Sequence, residues 1–146
     1  PRIKPQRAIQ NDILEKTADK QNDKFINMPV LLIDNDALML TALSSQLTEW
    51  GCQVFTAKDA DTVQQAITLM NDIPRLIIAD YHLDNDNNGV DLVVGLLEKE
   101  HWEVPCVICS ADPSEQVRQH TSEAKFLFLR KPVKSLALKR LIRQLL

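Results

Sequence analysis

Two short apolar runs in this sequence stop abruptly on acid. Val30-Leu31-Leu32-Ile33 gives way to Asp34-Asn35-Asp36, and Leu76-Ile77-Ile78-Ala79 gives way to Asp80-Tyr81-His82-Leu83-Asp84. A continuous apolar run of this length, rather than an alternating one, fits a strand covered on both faces, as strands of a parallel sheet are. Residues 52–56, 104–109 and 126–129 read as three further strands, making five in all. Between them apolar residues recur at helical spacing. Met39, Leu43, Leu47 and Trp50 run up to a stop at Gly51, and Val63, Ala66, Ile67 and Met70 follow a cap at Asp59. Val90, Val93, Val94 and Leu97 share a third face, and a weaker helix with a thin apolar face spans residues 114–123. Leu138, Leu141, Ile142 and Leu145 follow a cap at Ser135. Strand then helix, five times over, predicts an α/β fold: a doubly wound five-stranded parallel sheet with right-handed crossovers and helices on both faces.

In such a sheet the carboxyl ends of the strands open on one rim, where ligands bind. Asp34, Asp80, Ser110 and Lys131 each stand just past a strand, so residues nearly a hundred positions apart are expected to meet there. Carboxylates, a hydroxyl and an ammonium make a set with a definite chemistry. Oxygen donors that leave room for water suit Mg²⁺, and a hard cation would relieve the repulsion between Asp34 and Asp80. Lys131 and Ser110 can take the equatorial oxygens of a phosphoryl group, so a carboxylate can attack phosphorus and hold it as an acyl phosphate.

Composition narrows the alternatives. Residues 29–146 carry eleven Lys/Arg against sixteen Asp/Glu, and residues 1–28 carry six against four, so the domain is acidic and no nucleic-acid footprint is expected. No apolar run approaches the ~20 residues needed to cross a bilayer, so no direct membrane contact is expected, and a cytoplasmic setting is. Three cysteines do not make a disulfide framework. Cys106 and Cys109 spell C-x-x-C, but three residues apart on a strand they face opposite sides and read as small buried hydrophobes. Residues 1–28, polar and without glycine, read as a linker or a loose helix with faint spacing at Ile9, Ile13 and Leu14; residues 29–146 form the domain.

The ordered set is specific. An acidic cluster after the first strand, a lone Asp after the third, Ser after the fourth and Lys-Pro after the fifth resemble the receiver domains of two-component signalling over about residues 29–146. The resemblance implies a flavodoxin-like (βα)5 fold with strand order 2-1-3-4-5. It implies Asp80 as phosphoacceptor, Ser110 and Phe128 as switch residues, and Lys131 as the phosphate-pairing lysine with a cis bond to Pro132. Metal would be held by Asp34, Asn35, Asp80 and the backbone carbonyl of His82, with Mg²⁺ as cofactor. A histidine kinase core or a phosphotransfer domain would be the partner and supply the donor histidine. Asn35 departs from the family pattern, which places a second acid there, so weaker Mg²⁺ binding is expected, with Asp36 a substitute only if its loop turns inward. The wording Asp34-Asn35-Asp36, Trp50-Gly51-Cys52, Asp80 to Asp84 and Lys131-Pro132-Val133 resembles receivers at the C-termini of hybrid sensor histidine kinases, and a first residue other than Met fits a piece of such a chain.

Other readings have distinct marks. A pseudo-receiver that docks partners without phosphorylation fits Asn35 and the thin fourth helix. A flavodoxin-like cofactor binder would need a Gly-rich phosphate loop after the first strand, and the chain holds only three glycines. Asp84-x-Asp86-x-Asn88-Gly89 matches the opening of a calcium loop, but Gly95 stands where its bidentate Glu belongs. The stretch reads instead as a solvated turn, with Gly89 giving backbone freedom at the helix start. His82, His101 and His120 have no metal spacing and read as surface histidines. His82 and Asp112, on opposite loops, are candidates for steering water near Asp80.

Overall fold

The structure, a computed structural model, describes residues 25–112 and 114–146, so most of the expected linker, with Ile9, Ile13 and Leu14, lies outside the described residues. Its last part is packed: Phe25 and Met28 are buried, and the Phe25 ring lies 5.9 Å from that of Trp50. Asn27 N–H donates to the Gly51 carbonyl at 2.8 Å. Gly51 itself has φ of 102°, and a Cβ there would stand 3.2 Å from the Ile26 Cα, so this turn needs glycine twice over.

Five strands and five helices alternate among the described residues: β1 (Pro29–Ile33), α1 (Ala37–Glu49), β2 (Gln53–Ala57), α2 (Ala60–Leu69), β3 (Leu76–Asp80), α3 (Gly89–Glu100), β4 (Cys106–Ser110), α4 (Glu115–Glu123), β5 (Leu127–Arg130) and α5 (Ser135–Leu145). The sheet is parallel in the order β2-β1-β3-β4-β5, the expected fold class and order.

The continuous apolar runs are divided between two cores by the two-residue period of the strand. Leu31, Ile33, Ile77, Ala79, Cys106 and Ile108 pack with Val63 and Ala66 of α2 and Val90, Val93 and Leu96 of α3. Val30, Leu32, Leu76, Ile78, Val107 and Cys109 pack with Leu43 and Leu47 of α1 and Leu138 and Ile142 of α5. Cys106 and Cys109 therefore do face opposite sides, and burial pushes their thiols up to about 12 and that of Cys52 up to about 11. At neutral pH all three are packed hydrophobes, not nucleophiles.

Side chains cap four of the helices. Asp36 accepts from Leu38 and Met39 N–H, Asp59 and Thr62 form a reciprocal capping box, Asn88 accepts from Asp91 N–H, and Ser114 accepts from Val117 N–H. Ser135 does not cap α5. Lys134 occupies the cap position without a side-chain bond, and Ser135 is the first helical residue. What holds this helix is its apolar stripe: Leu138 and Ile142 are completely buried, worth about 1.5–3 kcal/mol each. No helix among the described residues is long and apolar enough to cross a membrane.

Candidate functional site

Register brings the rim together. Ile33 pairs with Ala79, so the next residues, Asp34 and Asp80, leave adjacent strands side by side. Asp80 pairs with Cys109 and Ser110 with Arg130, which puts Ser110 and Lys131 on the same rim. Lys131 N–H donates to the Ser110 carbonyl at 2.9 Å, and the following Lys131–Pro132 bond is cis. From there the Lys131 ammonium reaches back between the acids, 3.0 Å from Asp34 Oδ2 and 3.2 Å from Asp80 Oδ1. All three side chains are largely withdrawn from solvent, at 15% exposure for Lys131, 3% for Asp34 and 9% for Asp80.

One ammonium against two carboxylates leaves the cup short of positive charge. Burial, reinforced by the nearby Asp34 charge, raises the Asp80 carboxyl above the usual carboxylate range, although Lys131 pulls the other way. Burial alone would lower the Lys131 ammonium, but its bond to Asp34 and the charges of Asp80 and Asp34 reverse this and hold it above its ordinary value. The pair thus favours a charged lysine and disfavours two ionised acids at once. A divalent cation at the carboxylates would supply what is missing.

The donors fit such a cation. Asp34 and Asp80 offer carboxylate oxygens, and the His82 carbonyl is also available: the antiparallel bridge of His82 with Asn88 is made by Leu83 N–H to Asn87 O and Gly89 N–H to Tyr81 O, on either side of it. Hard oxygen donors with room for water suit Mg²⁺. Among the described residues no three His, Cys, Asp or Glu side chains gather into a metal cluster, and the buried negative charge at the site is that of these two acids. Asn35 is exposed and turns its amide to Asp84 Oδ1 at 2.9 Å. Asp36 does not turn inward to replace it. Its carboxylate caps α1, while its N–H donates to Asp34 Oδ1 at 2.9 Å and so orients that acid.

Ser110 is completely buried, and its hydroxyl oxygen accepts from Asp112 N–H at 3.0 Å within the β4–α4 turn. His82 Nε2 lies 3.1 Å from Asp112 Oδ2, which spans the gap between the loops after β3 and β4. Phe128 is half-buried rather than core, because β5 is an edge strand; the Arg118 guanidinium sits 5.5 Å from its ring centroid.

Two expectations at this rim change. Gly89 takes no left-handed backbone; Asn85 and Asp86 do, with φ of 61° and 60°. Glycine is required because a Cβ at residue 89 would collide with the Asp80 carbonyl oxygen and stand 3.0 Å from its carbon. Nor is His120 a plain surface residue: it bonds Tyr81 through one ring nitrogen and Asp91 through the other. No spacing rule points to this trio, since Tyr81 and His120 lie 39 residues apart.

A model of the response regulator receiver domain family matches residues 30–143. Comparison with curated proteins finds no match. Among solved structures, the signal receiver domain of an HD domain-containing protein from Pseudomonas fluorescens Pf-5 is similar at a TM-score of 0.70 and 21% identity, covering 82% of this chain and 86% of that one. The chemotaxis protein CheY4 of Vibrio cholerae gives 0.71 and 19%, covering 81% and 98%. The response regulator PhyR of Brucella abortus gives 0.70 and 22%, covering 94% of this chain but 55% of that one.

Proposed function

Because this chain belongs to the response regulator receiver domain family, we propose that it is a phosphoacceptor that takes a phosphoryl group from phosphohistidine onto Asp80. The observation that carries this is the Lys131 ammonium held between two buried carboxylates, 3.0 Å from Asp34 and 3.2 Å from Asp80. In the transfer the donor's N–P bond breaks as a bond forms from an Asp80 carboxylate oxygen to phosphorus, and the donor imidazole keeps the electron pair. Lys131 meets the negative charge on the phosphoryl oxygens. Asp34, Asp80 and the His82 carbonyl would hold Mg²⁺, which when bound supplies the balancing positive charge. Ser110, at the next strand end, would take a phosphoryl oxygen once its hydroxyl turns from Asp112, with Phe128, two positions back in register on β5, responding. A histidine kinase core or a phosphotransfer domain is the proposed donor, and a place in a hybrid sensor histidine kinase fits the motifs at residues 34–36, 50–52, 80–84 and 131–133.

Incubation with acetyl phosphate and Mg²⁺, read by intact mass, tests the proposal. The wild-type chain is expected to gain one phosphoryl group, and Asp80→Asn none. The raised Asp80 carboxyl supplies the control against misfolding. A carboxyl that binds its proton more tightly when folded stabilises the fold at low pH and withdraws that contribution as pH rises through its folded-state value. At neutral pH without divalent cation, Asp80→Asn should therefore melt about 2–6 °C higher than wild type. A variant that melts higher yet still takes up phosphate would remove Asp80 from the role.

The second reading, a pseudo-receiver that only docks partners, is favoured by Asn35, which brings no charge and is tied to Asp84. The same mass measurement decides between them. For the metal, Asn35→Asp adds a carboxylate at the rim and sets it against Asp84. About tenfold less Mg²⁺ should then be needed for half-maximal phosphorylation, since affinity follows ligand charge. An unchanged Mg²⁺ dependence would mean that residue 35 does not reach the metal and that its charge does not set the affinity.

A further inference from the structure

The polar stretch Asp84-Asn85-Asp86-Asn87, between β3 and α3, folds as a tight turn. Asn87 N–H donates to the Asp84 carbonyl at 3.2 Å, and the two residues between them, Asn85 and Asp86, both have positive φ. Those are the marks of a type I′ turn, whose central positions favour Asn, Asp and Gly. Leu83 N–H, donating to the Asn87 carbonyl at 3.0 Å, and the bridge of His82 with Asn88 close the turn on itself. Main-chain bonds therefore shape this loop, and the Asp84 carboxylate is left for a neighbour. That neighbour is Asn35, 49 residues away in the loop after β1, whose side-chain nitrogen donates to Asp84 Oδ1 at 2.9 Å.

The two ends of the Asn35 amide are not equivalent in this bond. An ionised carboxylate only accepts, so it meets the NH₂ end, and the carbonyl oxygen is the end that a cation can use. An amide whose NH₂ donates to a carboxylate also carries more electron density on its oxygen, as a histidine ligand does when a carboxylate holds its far nitrogen. Asn35 directly follows Asp34, whose Oδ1 accepts from Asp36 N–H at 2.9 Å and whose Oδ2 accepts from Lys131 at 3.0 Å. Asn35 thus brings an oxygen without a charge to the rim. Asp84 carries a charge but is exposed, and it does not join Asp34 and Asp80 in a three-acid cluster among the described residues. The amide between them joins the two halves of what one acid would supply.

We propose that Asp84 is a positioning residue for the metal site: by holding the Asn35 NH₂ group it turns the Asn35 carbonyl oxygen to the cation and makes that oxygen a stronger donor. The inference rests on the Mg²⁺ part of the proposed function. It gives the loop after β3 a task in this chain, since its turn sets Asp84 opposite the one rim position where an amide stands in place of an acid.

Mg²⁺ alone, titrated into the full chain and read by NMR shifts of the backbone amides of residues 80–83, tests this without any phosphoryl transfer. Asp84→Ala should weaken Mg²⁺ binding about tenfold, the lower end of what loss of an outer-shell partner costs a metal site. Asp84→Asn, which still offers the amide an acceptor, should recover part of that loss. In an Asn35→Ala background the further change Asp84→Ala should cost less than twofold, because the group it acts through is gone. Without metal, Asp84→Ala should melt within about 2 °C of wild type, as substitutions of exposed side chains do. Wild-type Mg²⁺ affinity in Asp84→Ala overturns the proposal. So does an equal loss in both backgrounds, which would make Asp84 a nearby charge acting independently of Asn35, and so does a metal-free melting point well below wild type, which would make it a prop of the fold. A wild-type chain with no saturable Mg²⁺ shift defeats the metal part of the proposed function and this inference together, whereas wild-type binding that survives in Asp84→Ala defeats this inference alone.

Discussion

Lys131→Met should cost the domain about 3–5 kcal/mol of stability in the absence of divalent cation, the range seen when one partner of a buried ion pair is removed. Methionine keeps most of the aliphatic stem but leaves Asp34 and Asp80, both buried, with no cation between them. Urea unfolding measures the loss, and two further conditions identify its cause. Mg²⁺ should restore more stability to the variant than it adds to wild type, because the metal then offsets the whole charge of the pair. Adding Asp80→Asn to Lys131→Met should also recover much of the loss, since one carboxylate no longer opposes the other. Phosphorylation by acetyl phosphate should fall by about 100-fold or more, as removal of a preorganised charge at a transferring group does elsewhere. A Lys131→Met chain as stable as wild type without metal, and phosphorylated at the same rate, would show that the lysine is a bystander.

The second large effect comes from a pair of identical substitutions with opposite signs. Gly89→Ala places a methyl group against the Asp80 carbonyl, 3.0 Å from its carbon and 3.4 Å from the Ala79 Cβ. Both neighbours belong to the central strand β3 and cannot turn aside as a flexible side chain would. Either the start of α3 lifts or the Asp80 backbone shifts, at a cost of about 3 kcal/mol, the upper range for overpacking. Because the displaced group belongs to the proposed acceptor residue, phosphorylation should slow as well. Gly95→Ala, six positions on in the same helix, meets nothing within 4 Å and removes a glycine from an exposed helix interior. It should stabilise by about 0.5–1 kcal/mol. Thermal unfolding of the two variants side by side checks both signs, and a Gly89→Ala chain as stable as wild type would mean that a Cβ at residue 89 has room beside β3.

Legibility in the sequence followed the range of the physics. Local rules were enough for the strands, placed within two residues at every end, for the Gly51 stop and for the Asp59 cap, since apolar runs and capping side chains act over a few positions. The meeting of Asp34, Asp80 and Lys131 was also legible, but only through topology: once five parallel strands are granted, their carboxyl ends must share a rim. What could not be read are choices made between distant side chains. Asn35 bonding Asp84 and Tyr81 bonding His120 join residues 49 and 39 apart, with no periodicity to betray them. Ser135 and Gly89 misled for a different reason. Serine before an apolar stripe is a good cap signal, and glycine before a helix a good turn signal, yet α5 is held by its buried stripe and Gly89 by a carbonyl from another strand.

The packing of Phe25 against Trp50 fixes where the backbone joins the sheet. Phe25 and Met28 lie ahead of β1, whereas Asp34 lies beyond its far end, so the five residues of that strand, about 17 Å, separate the point of attachment from the acidic cup. The chain therefore enters the sheet at the pole opposite the acidic cup. Among the described residues nothing in that attachment crosses the rim, which keeps the cup clear for the proposed phosphoryl donor.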